Sequence, residues 1–340
     1  MVESGTAKRC RFSFKFSRRK LNRLKMSEKI NLILDCDVGV DDALAVMLAL
    51  ATPNNINLMA ITCVAGNATV DKVCINTLKV LKVCDRLDVA VYRGACSGII
   101  GGTFRGTPYH GVDGMGDVQN IPQPDIKLIK EEVAAIALVR MVNERPGEIS
   151  IAAIGPLTNI AIAMKLDPHF TEKVKEIVIM GGELEGRAAA FLTSEFNFTS
   201  DPEAVHVVLN ESKCPIVIIP YEICQNNGFD FDYYISTISQ NNKKANFIKA
   251  ITSNSLKREQ SRAHIYTPWD FYALAYLVDR SVVTNMANVL VQVELHGSLT
   301  RGKMVPDWNR KVQKDHNTNI IMELDIDKIK ILFLKMCSNA

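Results

Sequence analysis

The chain has 340 residues, of which 47% are hydrophobic and 23% are charged, with nine cysteines and a net charge of +3. This composition is that of a globular protein and excludes disorder as its main state. No stretch stays apolar over the roughly 18 residues that a membrane-spanning helix needs. The cysteines are scattered without CxxC pairs, so we expect neither a disulfide framework nor a zinc site, but reduced thiols in an intracellular protein.

The basic charge is concentrated at the N-terminus. Residues 1–29 hold ten Lys/Arg and two acidic residues, a net +8, which leaves −5 for the rest of the chain. The body therefore offers no electrostatic reason to expect a nucleic-acid partner. Segment 1–28 lacks the apolar core of a signal peptide. We interpret it as a disordered extension before a downstream start at Met26 of a cytoplasmic protein; its Arg-rich, acid-poor makeup leaves a mitochondrial presequence as the alternative.

From residue 29 onward, short apolar runs alternate with helical patterns. Strands are predicted at 30–34, 58–64, 89–92, 149–154, 177–180 and 215–219, and helices at 43–51, 70–84, 157–166, 202–210 and 270–278. Continuous Val/Ile runs are typical of strands covered on both faces. We predict an α/β fold, an open, mostly parallel, Rossmann-like sheet with helices on both faces, in a single domain over 29–340. The Gly-rich stretch 94–124 lacks periodicity and is predicted to be a functional loop.

Four aspartates follow the first predicted strand within eight positions: Asp35, Asp37, Asp41 and Asp42. In an open parallel sheet this is where the ligand crevice lies. The repulsion within one close pair of carboxylates is about 4 kcal/mol at an effective dielectric near 20. A helix dipole stabilises each charge by only about 0.3–1 kcal/mol, which is too little to offset this repulsion. A hard divalent cation, Ca²⁺ or Mg²⁺, is therefore expected. Helix capping by Asp41 or Asp42 is the alternative, but a cap needs only one aspartate.

Two enzyme families share parts of this segment. A strand that ends in Asp-x-Asp resembles the haloacid-dehalogenase-type phosphatases, in which Asp35 would be the phosphoryl-accepting nucleophile and Mg²⁺ the metal. That chemistry does not require the pair Asp41–Asp42. The full pattern Asp-x-Asp-x-Gly-x-Asp-Asp resembles instead the signature of the nucleoside hydrolases, which cleave the N-glycosidic bond of ribonucleosides.

Further motifs resemble the nucleoside hydrolases in family order. They are 64–69 (VAGNAT), 110–116 (HGVDGMG), 155–159 (GPLTN), 180–182 (MGG), 195–204 (EFN…DPEA) and 269–270 (WD). Together they cover roughly residues 30–310. A single motif would be moderately specific, whereas six blocks in order make the resemblance strong.

The resemblance implies a metal site and a sugar site. The metal would be Ca²⁺, with Asp35 supporting a ligand set of Asp37, Asp42, the backbone carbonyl of Ile154, and Asp270. Asp37 would also be the general base for an attacking water, so that no protein nucleophile is needed. The nucleoside would be bound by Asp41 at the ribose hydroxyls and by Asn67, Met180, Glu195, Phe196, Asn197 and Trp269. We expect a small-molecule nucleoside as partner, no nucleic acid or membrane, and a homodimer or homotetramer.

Three positions bear on substrate and turnover. Trp269 stands where the pyrimidine-tolerant branch has a His. In this it resembles the purine-preferring branch, in which an aromatic residue stacks on the base. A Trp of the hydrophobic core is the alternative. We place its aromatic partner in the loop 94–124, with Phe104 and Tyr109 as open candidates. His110 is expected either to assist catalysis by a hydrogen bond or to be merely solvent-exposed. Ala188–Ala190 replace a sugar-binding Asn, so a non-catalytic nucleoside-binding protein stays an alternative.

Overall fold

The computed structural model describes residues 29–102, 109–119, 121, 123–187, 191–261 and 265–338, and the statements below concern these residues. The basic segment 1–28, Phe104 and Ala188–Ala190 lie outside them. No helix within the described ranges combines the length and the apolar character needed to cross a membrane.

A nine-stranded sheet forms the centre of the molecule. The described strands are β1 (Ile30–Cys36), β2 (Ile56–Cys63), β3 (Ala90–Arg93), β4 (Ile129–Lys130), β5 (Ile149–Ala153), β6 (Glu176–Met180), β7 (Ile216–Ile219), β8 (Phe229–Asp230), β9 (Ile265–Tyr266), β10 (Val283–Asn288), β11 (Val291–Val293), β12 (Met304–Pro306) and β13 (Thr318–Leu324). The order in the large sheet is β10-β13-β7-β6-β5-β1-β2-β3-β4. Only the edge strand β10 is antiparallel to its neighbour there, and β8–β9 and β11–β12 form small separate sheets.

Helices cover both faces of the sheet. They are α1 (Val40–Ala51), α2 (Val70–Val83), α3 (Ala134–Glu144), α4 (Thr158–Leu166), α5 (Phe170–Lys173), α6 (Phe196–Ser200), α7 (Pro202–Glu211), α8 (Tyr221–Asn226), α9 (Phe231–Ile238), α10 (Lys243–Ile251), α11 (Ser253–Gln260), α12 (Trp269–Val278) and α13 (Ile326–Cys337), with short 3₁₀ turns at Ile126–Leu128 and Arg280–Val282. Helices α1, α2, α12 and α13 pack on one face, and α3, α4 and α7 on the other. Every residue of β5 and β7 is buried, because both faces of these strands are covered. The predicted α/β fold is confirmed.

The strand order reverses beside β1. The chain builds the sheet outward from β1 through β2, β3 and β4, then returns to place β5 on the other side of β1 and continues through β6 and β7. A reversal of this kind leaves a crevice at the carboxyl ends of the two strands that flank it. The segments after β1 and β5 therefore share one opening.

The start of α1 differs most from the predicted boundaries. The helix begins at Val40 rather than at residue 43, whereas the other predicted boundaries agree within two residues. Gly39 is the extended N-cap residue, and the Asp42 carboxylate accepts a hydrogen bond from its amide at 2.9 Å. That contact is half of a capping box and fixes the first turn. Asp41 and Asp42 therefore lie inside the helix and not in the loop before it.

Candidate active site and metal centre

The crevice beside β1 is lined by acidic side chains from three elements. One carboxylate oxygen each from Asp41, Asp42 and Asp270 lies within 4.8 Å of the other two. Asp37 follows β1 directly, and all four residues are buried, with at most 6% of their surface exposed. The sequence placed Asp37 with Asp42 and Asp270, and it assigned Asp41 to the sugar. The structure brings Asp41 itself into the tightest group.

Burial and mutual repulsion act on these carboxyls together. Burial, with the charge of Asp41 second, raises the pKa of Asp42 to about 7. The pKa values of Asp37 and Asp270 are also raised well above the usual range, first by burial and then by the neighbouring carboxylates. Among the ion pairs of the described residues, none joins a Lys or Arg to this cluster. A positive ion among its oxygens would therefore favour the ionised form of the cluster over the protonated one.

The donor atoms fit a hard metal ion. Asp37 Oδ1 and Asp41 Oδ1 are buried and accept no hydrogen bond from any described residue. Carboxylate and carbonyl oxygens are the ligands that Ca²⁺ and Mg²⁺ take in proteins. The carbonyl of Ile154 follows β5 and accepts a hydrogen bond from Asn197 Nδ2 at 3.0 Å. The cluster with its unpartnered oxygens therefore suits a divalent cation.

Asn67 holds two of the carboxylates in place, and Asp35 is itself held by hydrogen bonds near the end of β1. The Asn67 amide donates to Asp37 Oδ2 at 2.6 Å, and its side chain donates to Asp42 Oδ2 at 3.1 Å. Asp35 Oδ1 accepts hydrogen bonds from Thr62 Oγ1 at 2.5 Å and from Asn159 Nδ2 at 2.8 Å. Asp35 is fully buried, and burial raises its pKa to about 7. Asn67 thus contacts the cluster directly, whereas the support of the metal ligands by Asp35 stays a prediction.

His110 lies against the start of α1. Its Nδ1 accepts a hydrogen bond from the Val40 amide at 3.0 Å and lies 3.6 Å from Asp41 Oδ1. Because a backbone amide can only donate, Nδ1 carries no proton, and a neutral ring carries it on Nε2. Burial lowers the pKa of His110, with the charge of Asp41 opposing. The ring is therefore a neutral donor at Nε2 and not the solvent-exposed loop histidine of the alternative.

Four of the predicted sugar-contacting residues lie at the end of β6 or after it. Both Glu195 oxygens accept backbone amides, Oε1 from Asn197 at 2.8 Å and Oε2 from Gly182 at 3.0 Å. Asn197 Nδ2 also contacts the carbonyl of Met180, at 3.1 Å. Met180, Glu195 and Asn197 are buried, and Phe196 is half-buried at the start of α6. Glu195, Asn197 and Met180 form one hydrogen-bonded network that reaches the carbonyl of Ile154.

The indole of Trp269 contacts two tyrosine rings. The Tyr221 ring lies nearly parallel to the indole, with centroids 6.0 Å apart and planes at 13°. The Tyr109 ring meets the indole edge-on at 5.5 Å and carries the Arg258 guanidinium over its face at 5.4 Å. Trp269 Nε1 is buried without a hydrogen-bond partner among the described residues. Of the two candidates from the loop 94–124, Tyr109 contacts Trp269, and Phe104 lies outside the described residues.

Sequence reasoning missed two residues of this region, Tyr221 and Glu183. Tyr221 opens α8 directly after β7, and Glu183 follows β6. Both lie at carboxyl ends of buried parallel strands, where ligand sites form. A polar or aromatic residue at the end of each buried Val/Ile run was the signal that would have found them.

Comparison with known proteins agrees with this geometry. The sequence profile of the inosine-uridine preferring nucleoside hydrolases matches residues 32–330. The chain belongs to the nucleoside hydrolase family. It is 33% identical over 305 residues to the inosine-uridine preferring nucleoside hydrolase of Leishmania major, an alignment that covers 89% of this chain and 96% of the relative.

Solved structures of the family share the fold. An inosine-guanosine nucleoside hydrolase superposes with a TM-score of 0.84 at 28% identity, over 91% of this chain and 98% of its own. A purine-preferring ribonucleoside hydrolase from Gardnerella vaginalis gives 0.83 at 26% identity, over 90% of this chain and 98% of its own. This nucleoside hydrolase is therefore an N-glycosidase of ribonucleosides, its family is metal-dependent, and the phosphatase interpretation of Asp35 is set aside.

The raised pKa values predict how stability depends on pH without metal. Asp42 and Asp35 have pKa values of about 7 in the folded chain and 3.8 in the unfolded chain. Between about pH 4 and 7 the native state therefore keeps protons that the unfolded chain loses. In EDTA, the free energy of unfolding should therefore fall between about pH 4 and 7, by at least about 1.4 kcal/mol, the linkage energy of one pKa unit. Urea unfolding followed by circular dichroism measures it. Equal or greater stability at about pH 8 would contradict the prediction.

A methyl group at Gly66 should disrupt the metal centre. A Cβ at this position would lie 2.1 Å from Asp37 Oδ2 and 3.0 Å from Pro156 Cδ, so Asp37 must shift. For Gly66→Ala we expect a loss of about a hundredfold in turnover, since misplacement by about 1 Å has this effect, together with weaker metal binding by calorimetry. Gly101→Ala, whose Cβ meets nothing within 4 Å although its φ is +83°, is the control for backbone strain alone. Equal effects of the two variants would refute the crowding argument.

Proposed function

We propose that this nucleoside hydrolase is Ca²⁺-dependent, prefers purine ribonucleosides, and uses Asp37 as the general base. The observation that carries the proposal is the buried group of Asp41, Asp42 and Asp270. One oxygen of each lies within 4.8 Å of the others, and no Lys or Arg of the described residues forms an ion pair with the group. An oxygen-only donor set favours a hard cation over zinc or copper. Ca²⁺ suits it because this ion accepts six to eight oxygen ligands in flexible geometry.

The reaction is proposed to proceed by direct attack of water. A bound Ca²⁺ would orient this water and favour its deprotonation. Asp37 takes the water proton as the general base. The water oxygen bonds to the anomeric carbon of ribose while the C–N bond breaks. The electron pair of the C–N bond leaves with the base, which takes a proton from solvent. Asp41 Oδ1 accepts a ribose hydroxyl beside it.

The sugar network supports this geometry through preorganisation. Asn67, Glu195 and Asn197 are proposed to contact ribose, and each is already fixed by hydrogen bonds to neighbouring residues. Groups held before binding lose little freedom when the substrate arrives, and this lowers the entropic part of the barrier. Met180 and Phe196 are proposed to pack against the sugar.

Purine preference is proposed from the aromatic rings. Trp269 offers an indole face and an unpartnered Nε1 donor, and Tyr221 and Tyr109 flank it. Base–aromatic stacking contributes about 1–3 kcal/mol per base and favours the larger ring system. Two solved structures of similar fold carry purine or inosine-guanosine names. The Leishmania relative is named for both inosine and uridine, so the two bases must be compared directly.

Ribose release from inosine tests metal and base together. We expect turnover with Ca²⁺ and loss of turnover in EDTA. Added Ca²⁺ should then restore more of the turnover than added Mg²⁺. Asp37→Asn should lower kcat by about 10²–10⁴-fold, the contribution of a general base. Asp167→Asn, which changes a surface carboxylate paired with Lys173, is the control. Binding of nucleoside with no ribose release over long incubation would favour the non-catalytic alternative.

Substitution of the rings tests the base preference. Trp269→Ala should lower kcat/KM for inosine about tenfold or more and affect uridine less, because stacking energy scales with the ring. Tyr221→Leu should act in the same direction with a smaller effect. Trp308→Ala is the matched control, since Trp308 is 52% exposed. Equal losses for inosine and uridine would count against purine preference.

The assembly and the location stay predictions. We propose a homodimer or homotetramer in the cytoplasm. Light scattering on the purified chain and fractionation of cells that express it test both.

A further inference from the structure

An ion pair between a buried carboxylate and a partly exposed lysine lies behind the predicted sugar site and is not used by the chemistry described above. Glu183 follows β6 and is fully buried, while Lys303 immediately precedes β12. Lys303 Nζ lies 3.1 Å from Glu183 Oε1, across 120 positions of sequence. The Met304 amide donates to the same oxygen at 3.2 Å. The segment around β12 is thus joined to the segment after β6.

The second oxygen of Glu183 connects this pair to Glu195. Glu183 Oε2 accepts the backbone amide of Glu195 at 3.0 Å. The Glu195 carboxylate in turn accepts the amides of Gly182 at 3.0 Å and Phe198 at 3.1 Å. A continuous path therefore runs from Lys303 through Glu183 to the backbone that carries the Glu195 side chain.

The charges explain why Lys303 matters. Glu183 and Glu195 are both buried, and burial raises the pKa of each to about 7. Lys303 is the cation recorded in an ion pair with Glu183, and its ammonium favours the charged carboxylate. Removal of one partner of a buried pair leaves an uncompensated charge that must take up a proton or move. Either change weakens the acceptor that holds the Glu195 amide.

We propose that Lys303 and Glu183 are positioning residues for the ribose subsite, acting through Glu195. The inference rests on the proposed function, in which Glu195 contacts ribose. A contact made equally in the ground state and the transition state affects KM rather than kcat. The pair therefore sets the affinity for the sugar, while Asp37 and the metal centre set the rate of the chemical step.

The test compares steady-state kinetics with inosine and Ca²⁺ for four proteins. Lys303→Met should raise KM about tenfold and change kcat less than about threefold. Lys303→Arg should restore most of the affinity, because it keeps the charge. Lys165→Met is the matched control: its Nζ lies 2.6 Å from Glu211 Oε1 in an exposed pair, and its KM should equal that of the wild type. Circular dichroism establishes that each variant is folded.

A double-mutant comparison separates positioning from mere stabilisation. In a Glu195→Gln background, Lys303→Met should change KM by less than about threefold, since coupled residues are not additive. An unchanged KM in folded Lys303→Met, or full additivity with Glu195→Gln, would overturn the inference and leave the hydrolase function standing. If Lys303→Met does not fold, Glu183→Gln takes its place, with the same KM rise expected and an unchanged KM overturning the inference. A wild type that releases no ribose from any nucleoside overturns both proposals.

Discussion

Repulsion among buried carboxylates is the constraint on which the site depends. Asp37, Asp42 and Asp270 are almost wholly removed from water, and their pKa values rise because burial and neighbouring charges both disfavour ionisation. The fold keeps them together because each is fixed by its element: the end of β1, the first turn of α1 and the first turn of α12. Without a cation the arrangement destabilises the native state as pH rises, and with one the same repulsion becomes binding energy. Stability and metal affinity are therefore linked through these three side chains.

Asp42 shows how one residue serves the fold and the site at once. Its Oδ2 accepts the Gly39 amide and the Asn67 side chain, which caps α1 and connects it to the segment after β2. Its Oδ1 accepts the Asp37 amide at 3.2 Å. Asp42 is thus the third helical residue of a capping box whose N-cap is Gly39, and it also lies in the acidic group for which a metal is proposed. The cap orients the carboxylate, and the backbone bonds offset part of its desolvation.

Much of this arrangement was predictable because it is local. Continuous Val/Ile runs mark the buried strands, and Asp37 and Ile154 follow β1 and β5 directly. Long-range pairing was not predictable in this way: β13 inserts between β7 and β10 although about a hundred residues separate β7 from it. The same holds for Lys303, whose contact with Glu183 depends on how a distant hairpin folds back. Hydrophobic periodicity predicts the helix or strand to which a residue belongs, but it does not predict which distant element that residue contacts.

Departure of the base poses the remaining chemical problem, and the geometry limits how the chain can assist it. Only 12% of the His110 side chain is exposed, and its Nδ1 accepts a hydrogen bond from the Val40 amide. The ring is therefore neutral and offers only an Nε2 proton of low acidity. Trp269 carries no titratable group. Under the proposed mechanism, assistance must then come from raising the basicity of the bound base by stacking, so that it takes its proton readily. Tyr221 and Tyr109, which flank the indole, are placed to hold that stack. A ring system that spreads charge widely benefits most from such assistance, which is the physical argument for purines.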